Sequence, residues 1–126
     1  MTKQVITAPN APKYPFSPAI RAGDYIFVSG QGGFVDAKGK YVEGIEAQTK
    51  QCLENMKHVL EATGSSLDDV VKVTVFLGNV ADYAKMNEIY QSYFPKDQPA
   101  RSTAITGLAI RNMLIEMDCI AYSTRP

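Results

Sequence analysis

The chain has 126 residues, 45% of them hydrophobic, and its 13 basic and 13 acidic residues cancel. That is enough for one compact domain spanning residues 1–126, and too little to divide comfortably into two. With a pI near 6.6 and Lys and Arg scattered rather than clustered, no basic field is available to hold nucleic acid.

The opening stretch, MTKQVITAPNAPKYPF, lacks the uninterrupted apolar core of a signal peptide, and no segment approaches the roughly 18 apolar residues of a membrane helix. A cytoplasmic protein with no membrane partner is expected. Pro9, Pro12, Pro15 and Pro18 favour an extended, non-helical entry. AIRAGDYIFVSG then reads as a hairpin, Ala19–Arg21 and Tyr25–Ser29 joined at Gly23-Asp24. Five glycines from Gly30 to Gly44 mark the loops that follow.

From Ile45 to about Thr63 the period changes. Ile45, Cys52, Leu53, Met56, Val59 and Leu60 recur at helical spacing, and Gly64 stands where a left-handed cap belongs. DVVKVTVFLG is a buried strand from Val70 to Leu77, with Val71, Val73, Val75 and Leu77 expected on one side and Thr74 and Phe76 on the other. Asn79 can cap a second helix with Asp82 in its first turn; Tyr83, Met86, Tyr90 and Phe94 form its apolar stripe and Pro95 ends it. Two strands, about Ala100–Thr106 and Leu114–Tyr122, close the chain. The order is β-β-α-β followed by α-β-β, an α+β arrangement of one sheet with two helices on one face. A central strand apolar on both sides leaves the second face to a partner subunit.

The candidate chemistry is sparse. Cys52 and Cys119 are far apart without CxxC spacing, and His58 is the single histidine, so neither a disulfide framework nor a metal centre is expected. Catalysis would fall to Arg, Glu, Ser/Thr, Asn, backbone groups or water. Arg101 is either a solvated strand arginine or a carboxylate clamp, since a guanidinium matches a carboxylate with two parallel donors. Glu116, on the same strand side as Asp118, Ile120 and Tyr122, is either a solubilising edge charge or a general acid/base whose pKa burial can tune. Asn87 lies beside the helix stripe and reads more naturally as structural. Ser29 ends a strand just before Gly30, where backbone amides can approach a ligand. His58, Cys52 and Cys119 read as surface or packing residues.

The segments VSGQ (28–31), QTKQCLENMKHVLEATGSSLDDVVKVTVFL (48–77), DYAKMNEIYQSYF (82–94), PARST (99–103) and IEMDCIA (115–121) resemble the Rid family, also known as the YjgF family. The resemblance runs along nearly the whole chain and is closest to the imine/enamine deaminase branch. It implies a chorismate-mutase-like domain with one mixed sheet, assembled as a homotrimer with sites in clefts between subunits. It also implies hydrolysis of small carboxylate-bearing imines or enamines, such as 2-aminoacrylate, to 2-keto acids and ammonia without metal or cofactor. Arg101 takes the position of the carboxylate-binding arginine and Glu116 that of the water-activating glutamate. Ser29, Gly30 and Asn87 match further substrate contacts. Phe16 stands where a tyrosine is usual and Thr103 where a cysteine is common. Gly32 and Gly33, in place of the usual residues after SGQ, suggest a roomier pocket. A larger enamine of the 2-aminomuconate type, or a non-catalytic ligand- or protein-binding trimer, are the alternatives.

Overall fold

The expected hairpin forms as β2 (Ala19–Ala22) and β3 (Tyr25–Gly32), and β2 also pairs with a strand not anticipated from the sequence, β1 (Gln4–Ile6). The computed structural model describes residues 2–7 and 14–124, so Pro9 and Pro12 of the proline-rich entry lie outside the described residues. The hairpin turn uses Gly23 at φ 62°, in the left-handed region that costs glycine nothing.

Beyond β3 the chain passes directly over α1 (Ile45–Ala62). A β-carbon built on Gly33 would lie 2.1 Å from the Gln48 carbonyl oxygen and 2.6 Å from the Cys52 nitrogen, so only glycine allows this crossing. The helix buries Ile45, Cys52, Leu53, Met56 and Leu60, as its periodicity requires, with Val59 at the margin. Each such Leu or Met removes enough apolar surface to contribute roughly 1.5–3 kcal/mol. Two polar residues share the buried stripe. Gln48 is fully satisfied: its amide nitrogen donates to the Val42 and Asn112 carbonyls at 2.9 and 3.1 Å, and its oxygen accepts from the Leu114 amide at 2.9 Å. Thr49 donates back to Ile45 at 2.7 Å. The helix ends at Gly64, φ 82°, with Ser65 N–H bonded to the Leu60 carbonyl and Gly64 N–H to that of Glu61, which is a Schellman closure.

A 3-10 turn (Leu67–Asp69) leads into β4 (Val70–Leu77). Here one expectation fails. The pairing shifts register between Val70 and Lys72, so Val70 points inward and Val71 outward, 45% exposed. Val73, Val75 and Leu77 face the core as expected. Asn79 caps a second 3-10 turn (Val80–Asp82) by accepting from the Ala81 amide at 2.9 Å, and α2 (Tyr83–Tyr93) starts only after it. Met86, Tyr90 and Phe94 are buried, but Tyr83 is not part of the core stripe and is 43% exposed.

The last strands, β5 (Ala100–Ile105) and β6 (Ile115–Tyr122), complete a six-stranded sheet in the order β1-β2-β3-β6-β4-β5. β5 runs parallel to β4 at the edge, and the other pairs are antiparallel. One face, lined by Ile26, Val28, Val73, Val75, Leu77, Ile115, Met117, Cys119 and Ala121, packs beneath both helices. The fold class read from the sequence is therefore the observed one, with β1 added. The opposite face carries Tyr25, Phe27, Lys72, Thr74, Phe76, Glu116, Asp118, Ile120 and Tyr122, with Tyr25 and Tyr122 in edge-to-face contact at 5.2 Å. Among the described residues, no helix is long and apolar enough to cross a membrane.

Candidate functional site

Arg101 is aligned with Val73 across the parallel β4–β5 pair, which turns its side chain to the helix-covered face. There the guanidinium sits 4.8 Å from the centroid of the Tyr90 ring and 5.7 Å from that of Tyr83. Its Nη2 donates to the Tyr83 hydroxyl at 3.2 Å. Among the described residues it has no carboxylate partner. A cation held over an aromatic face without a counter-ion is available to an anionic ligand.

Beside it opens a pocket of about 340 Å³ lined by Asn87, Tyr90, Gln91, Gln98, Pro99 and Arg101. Two buried polar atoms, Asn87 Oδ1 and the Tyr90 hydroxyl, have no hydrogen-bond partner. Unpaired buried polar atoms are costly, and in a pocket wall they are groups a ligand can satisfy. Burial pushes the Tyr90 phenol up to about 12, with Arg101 acting in the opposite sense. Tyr90 is thus neutral, a donor or acceptor rather than an anion. Thr103, two residues along β5, shares the Arg101 face.

Glu116 stands elsewhere. It is aligned with Phe76 on the open face of the sheet, opposite to Ile115 and Met117. Its carboxylate rests on the α-carbon of Gly30, where a β-carbon would come within 2.6 Å of Oε2. This approach accompanies the register shift in β3 between Val28 and Gln31. Burial, and then the neighbouring Asp118, raise the Glu116 pKa. Asp118 is raised by burial, against the pull of a Thr74 hydrogen bond and the Lys72 charge. Ser29, next to Gly30, uses its hydroxyl on the Ser17 carbonyl and its amide on the Pro18 carbonyl, tying the entry segment to β3. Phe16 is exposed and stacks on Tyr14, with ring centroids 5.2 Å apart and ring planes nearly parallel.

The structure therefore sorts the candidates into two groups. Arg101, Asn87 and Thr103 belong to the β5–α2 edge; Ser29, Gly30 and Glu116 belong to β3 and the centre of the open face. One chain does not bring the groups together. Gly32 and Gly33 do not widen a pocket as expected: Gly33 admits α1, and a β-carbon on Gly32 would meet the Met113 methyl at 2.5 Å. The sequence reading missed Tyr83 and Tyr90 as site residues and gave both to the apolar stripe. Their spacing with Asn87 along one helix face was visible, but which way Arg101 points depends on strand pairing. Cys52 and Cys119 are buried packing residues, and His58 is exposed. No three His, Cys, Asp or Glu among the described residues are grouped to hold a metal ion.

These features define a small α+β protein whose sheet edge carries an arginine held over two tyrosines without a carboxylate partner among the described residues. Residues 5–123 match the family described as Endoribonuclease L-PSP, and the chain belongs to this family, the Rid or YjgF family. A RutC family protein of Pyrococcus horikoshii is 47% identical over 123 residues, covering 95% of this chain and 98% of that protein. Reactive Intermediate Deaminase A, chloroplastic, of Arabidopsis thaliana is 43% identical over 122 residues, covering 94% of this chain and 65% of that protein. The crystal structure of a putative endoribonuclease from Thermotoga maritima superposes with a TM-score of 0.88 at 41% identity, covering 98% of this chain and all of that one.

Proposed function

We propose that the protein is a deaminase that hydrolyses small 2-imino acids, and the enamines that tautomerise to them, to 2-keto acids and ammonia. The observation that carries this reading is Arg101, uncompensated and held over Tyr90 at the mouth of a pocket with unpaired polar atoms. A carboxylate is the group its planar fork fits best. The relative named Reactive Intermediate Deaminase A supports the same chemistry. The nuclease wording of the family description finds less support here, because the single histidine is exposed on α1 and net charge is zero.

In the reaction, water adds to the imine carbon, a proton passes to nitrogen, and the C–N bond breaks as the carbonyl forms, releasing ammonia. Arg101 orients the substrate through its carboxylate, and fixing two reactants in place can supply several kcal/mol of the barrier. Glu116 accepts a proton from the attacking water and returns one to the leaving nitrogen. Its raised pKa suits a group that must do both near neutrality.

Since Arg101 and Glu116 face away from each other in one chain, the reading requires a second copy to supply one of them. A homotrimer with three inter-subunit clefts meets this need, and the partly apolar open face around Phe27, Tyr25 and Tyr122 gives it a surface to bury. The packing of Gly32 and Gly33 removes the reason for expecting a larger substrate. The test generates imines in situ with an amino-acid oxidase and follows ammonia and keto-acid release, wild type beside Arg101→Ala. Accelerated release by the wild type alone supports the reading, and no acceleration by either overturns it.

A further inference from the structure

The Tyr83 oxygen accepts from Arg101, whose Nη2 lies 3.2 Å away. Asn87 stands one helical turn along α2 from Tyr83, and it and the Arg101 charge lower the Tyr83 pKa. Asn87 Oδ1 has no hydrogen-bond partner. A phenol oxygen accepts through its lone pairs and owns a single proton. With a lone pair used on Arg101, that proton is left for a ligand, and among the described residues no hydrogen bond takes it from this exposed side chain.

We propose that Tyr83 and Arg101 form one carboxylate-binding unit, in which the Tyr83 hydroxyl fixes the rotation of the guanidinium and donates its own proton to the ligand's carboxylate. The inference rests on the carboxylate reading of Arg101 given above and deepens it. Tyr90 holds the guanidinium from below through its ring, Tyr83 holds it from the side, and the remaining Arg101 N–H groups are left to the ligand. The unit discriminates for an anion: a neutral carboxamide in the same place satisfies neither the charge nor the extra donor equally well.

The test uses 2-oxobutanoate, a stable product-type 2-oxo acid, as the binding probe, and its carboxamide as the neutral control. Calorimetric titration of the full-length wild type, Tyr83→Phe and Arg101→Ala is followed by kcat and KM for imine hydrolysis. Tyr83→Phe removes one oxygen and keeps the ring, and its fold is checked by its thermal transition. The expected result is that Tyr83→Phe weakens 2-oxobutanoate binding and raises KM by about three- to tenfold, the scale of one lost hydrogen bond to a charged group at a partly exposed site. The turnover number stays within about twofold, because the interaction is made equally in ground and transition states. The carboxamide binds both proteins alike, a difference that a merely structural role for the hydroxyl does not produce. Equal 2-oxobutanoate affinity in wild type and Tyr83→Phe overturns the proposal, as does a loss of equal size for the carboxamide. Binding lost in Tyr83→Phe without any imine hydrolysis by the wild type keeps the unit and overturns the deaminase reading. Failure of the wild type to bind the oxo acid overturns both.

Discussion

Arg101 and Glu116 occupy strands two apart in one sheet and project from its opposite faces, since Arg101 is aligned with inward Val73 and Glu116 with outward Phe76. Adjacent strands are about 4.8 Å apart, and Glu116 is level with Ala104, three residues of about 3.3 Å along the strand from Arg101, so the two side chains start roughly 14 Å apart and diverge from there. Cooperation on one small substrate then requires two copies of the chain.

A mixing experiment follows directly. If the proposed shared site holds, Arg101→Ala and Glu116→Gln, each expected to be inactive alone, should regain activity when unfolded together and refolded as mixed assemblies. For randomly assembled rings each interface pairs an intact Arg101 with an intact Glu116 about a quarter of the time, which sets the expected recovery. Imine hydrolysis after co-refolding is the measurement. Activity no higher than that of the separate variants would place both groups in one subunit's site and sink the shared-site reading.

Glu116→Gln should lower kcat by about 10²–10⁴-fold while leaving KM within a few-fold, the usual cost of losing a positioned acid/base. Wild-type kcat should fall as pH drops through a pKa above the ordinary carboxylate value, because the base must be ionised. The same substitution has a stability consequence of opposite sign. A carboxyl whose folded pKa is raised binds its proton more tightly in the folded state, so ionising it disfavours folding. Glutamine at position 116 should therefore melt at or above the wild type near neutral pH. The difference should shrink as pH falls through the raised pKa and vanish below the ordinary one. Scanning calorimetry across that range checks it, and a variant less stable at pH 7 but not at pH 4 contradicts it.

Gly33 and Gly32 should respond differently to the same added methyl. In Gly33→Ala the β-carbon meets main-chain atoms of α1, which cannot rotate away, so a loss of about 2–4 kcal/mol is expected. In Gly32→Ala it meets the end of the Met113 side chain, which can swing aside, and the loss should stay below about 1 kcal/mol. Urea unfolding of the two variants decides the matter; equal costs would mean that the helix crossing at Gly33 is looser than the structure shows.

Cys52 and Cys119 should be unreactive in the folded protein. Burial pushes both thiols up to about 12, and Cys52 additionally donates to the Gln31 carbonyl at 2.9 Å. At pH 8 this leaves on the order of a thousandfold less thiolate than an ordinary cysteine. Ellman's reagent should find no thiol in the native state at pH 8 and two in guanidinium chloride. Rapid native labelling of either would show that the core opens on the assay timescale.

Much of the fold was legible in the residues because it depends on near neighbours. The three- and four-residue recurrence from Ile45 to Leu60 is a property of one helix turn, and Gly64 ends it by its own backbone freedom. Alternation along Ile115–Tyr122 separates Met117 from Glu116 whatever lies on either side. The PARST and IEMDCIA segments pointed to the family for the same reason. What the sequence could not supply are relations between segments. The bulge at Val70–Lys72 reverses Val71 through its pairing with β6, and β1 exists because Gln4–Ile6 finds β2. Tyr83 leaves the core stripe to meet an arginine 18 positions away, and Gly33 is needed by a helix that begins twelve residues later. Register and crossing distance are set by packing the whole sheet against two helices. For that reason only the tertiary structure decided that Arg101 and Glu116 look in opposite directions.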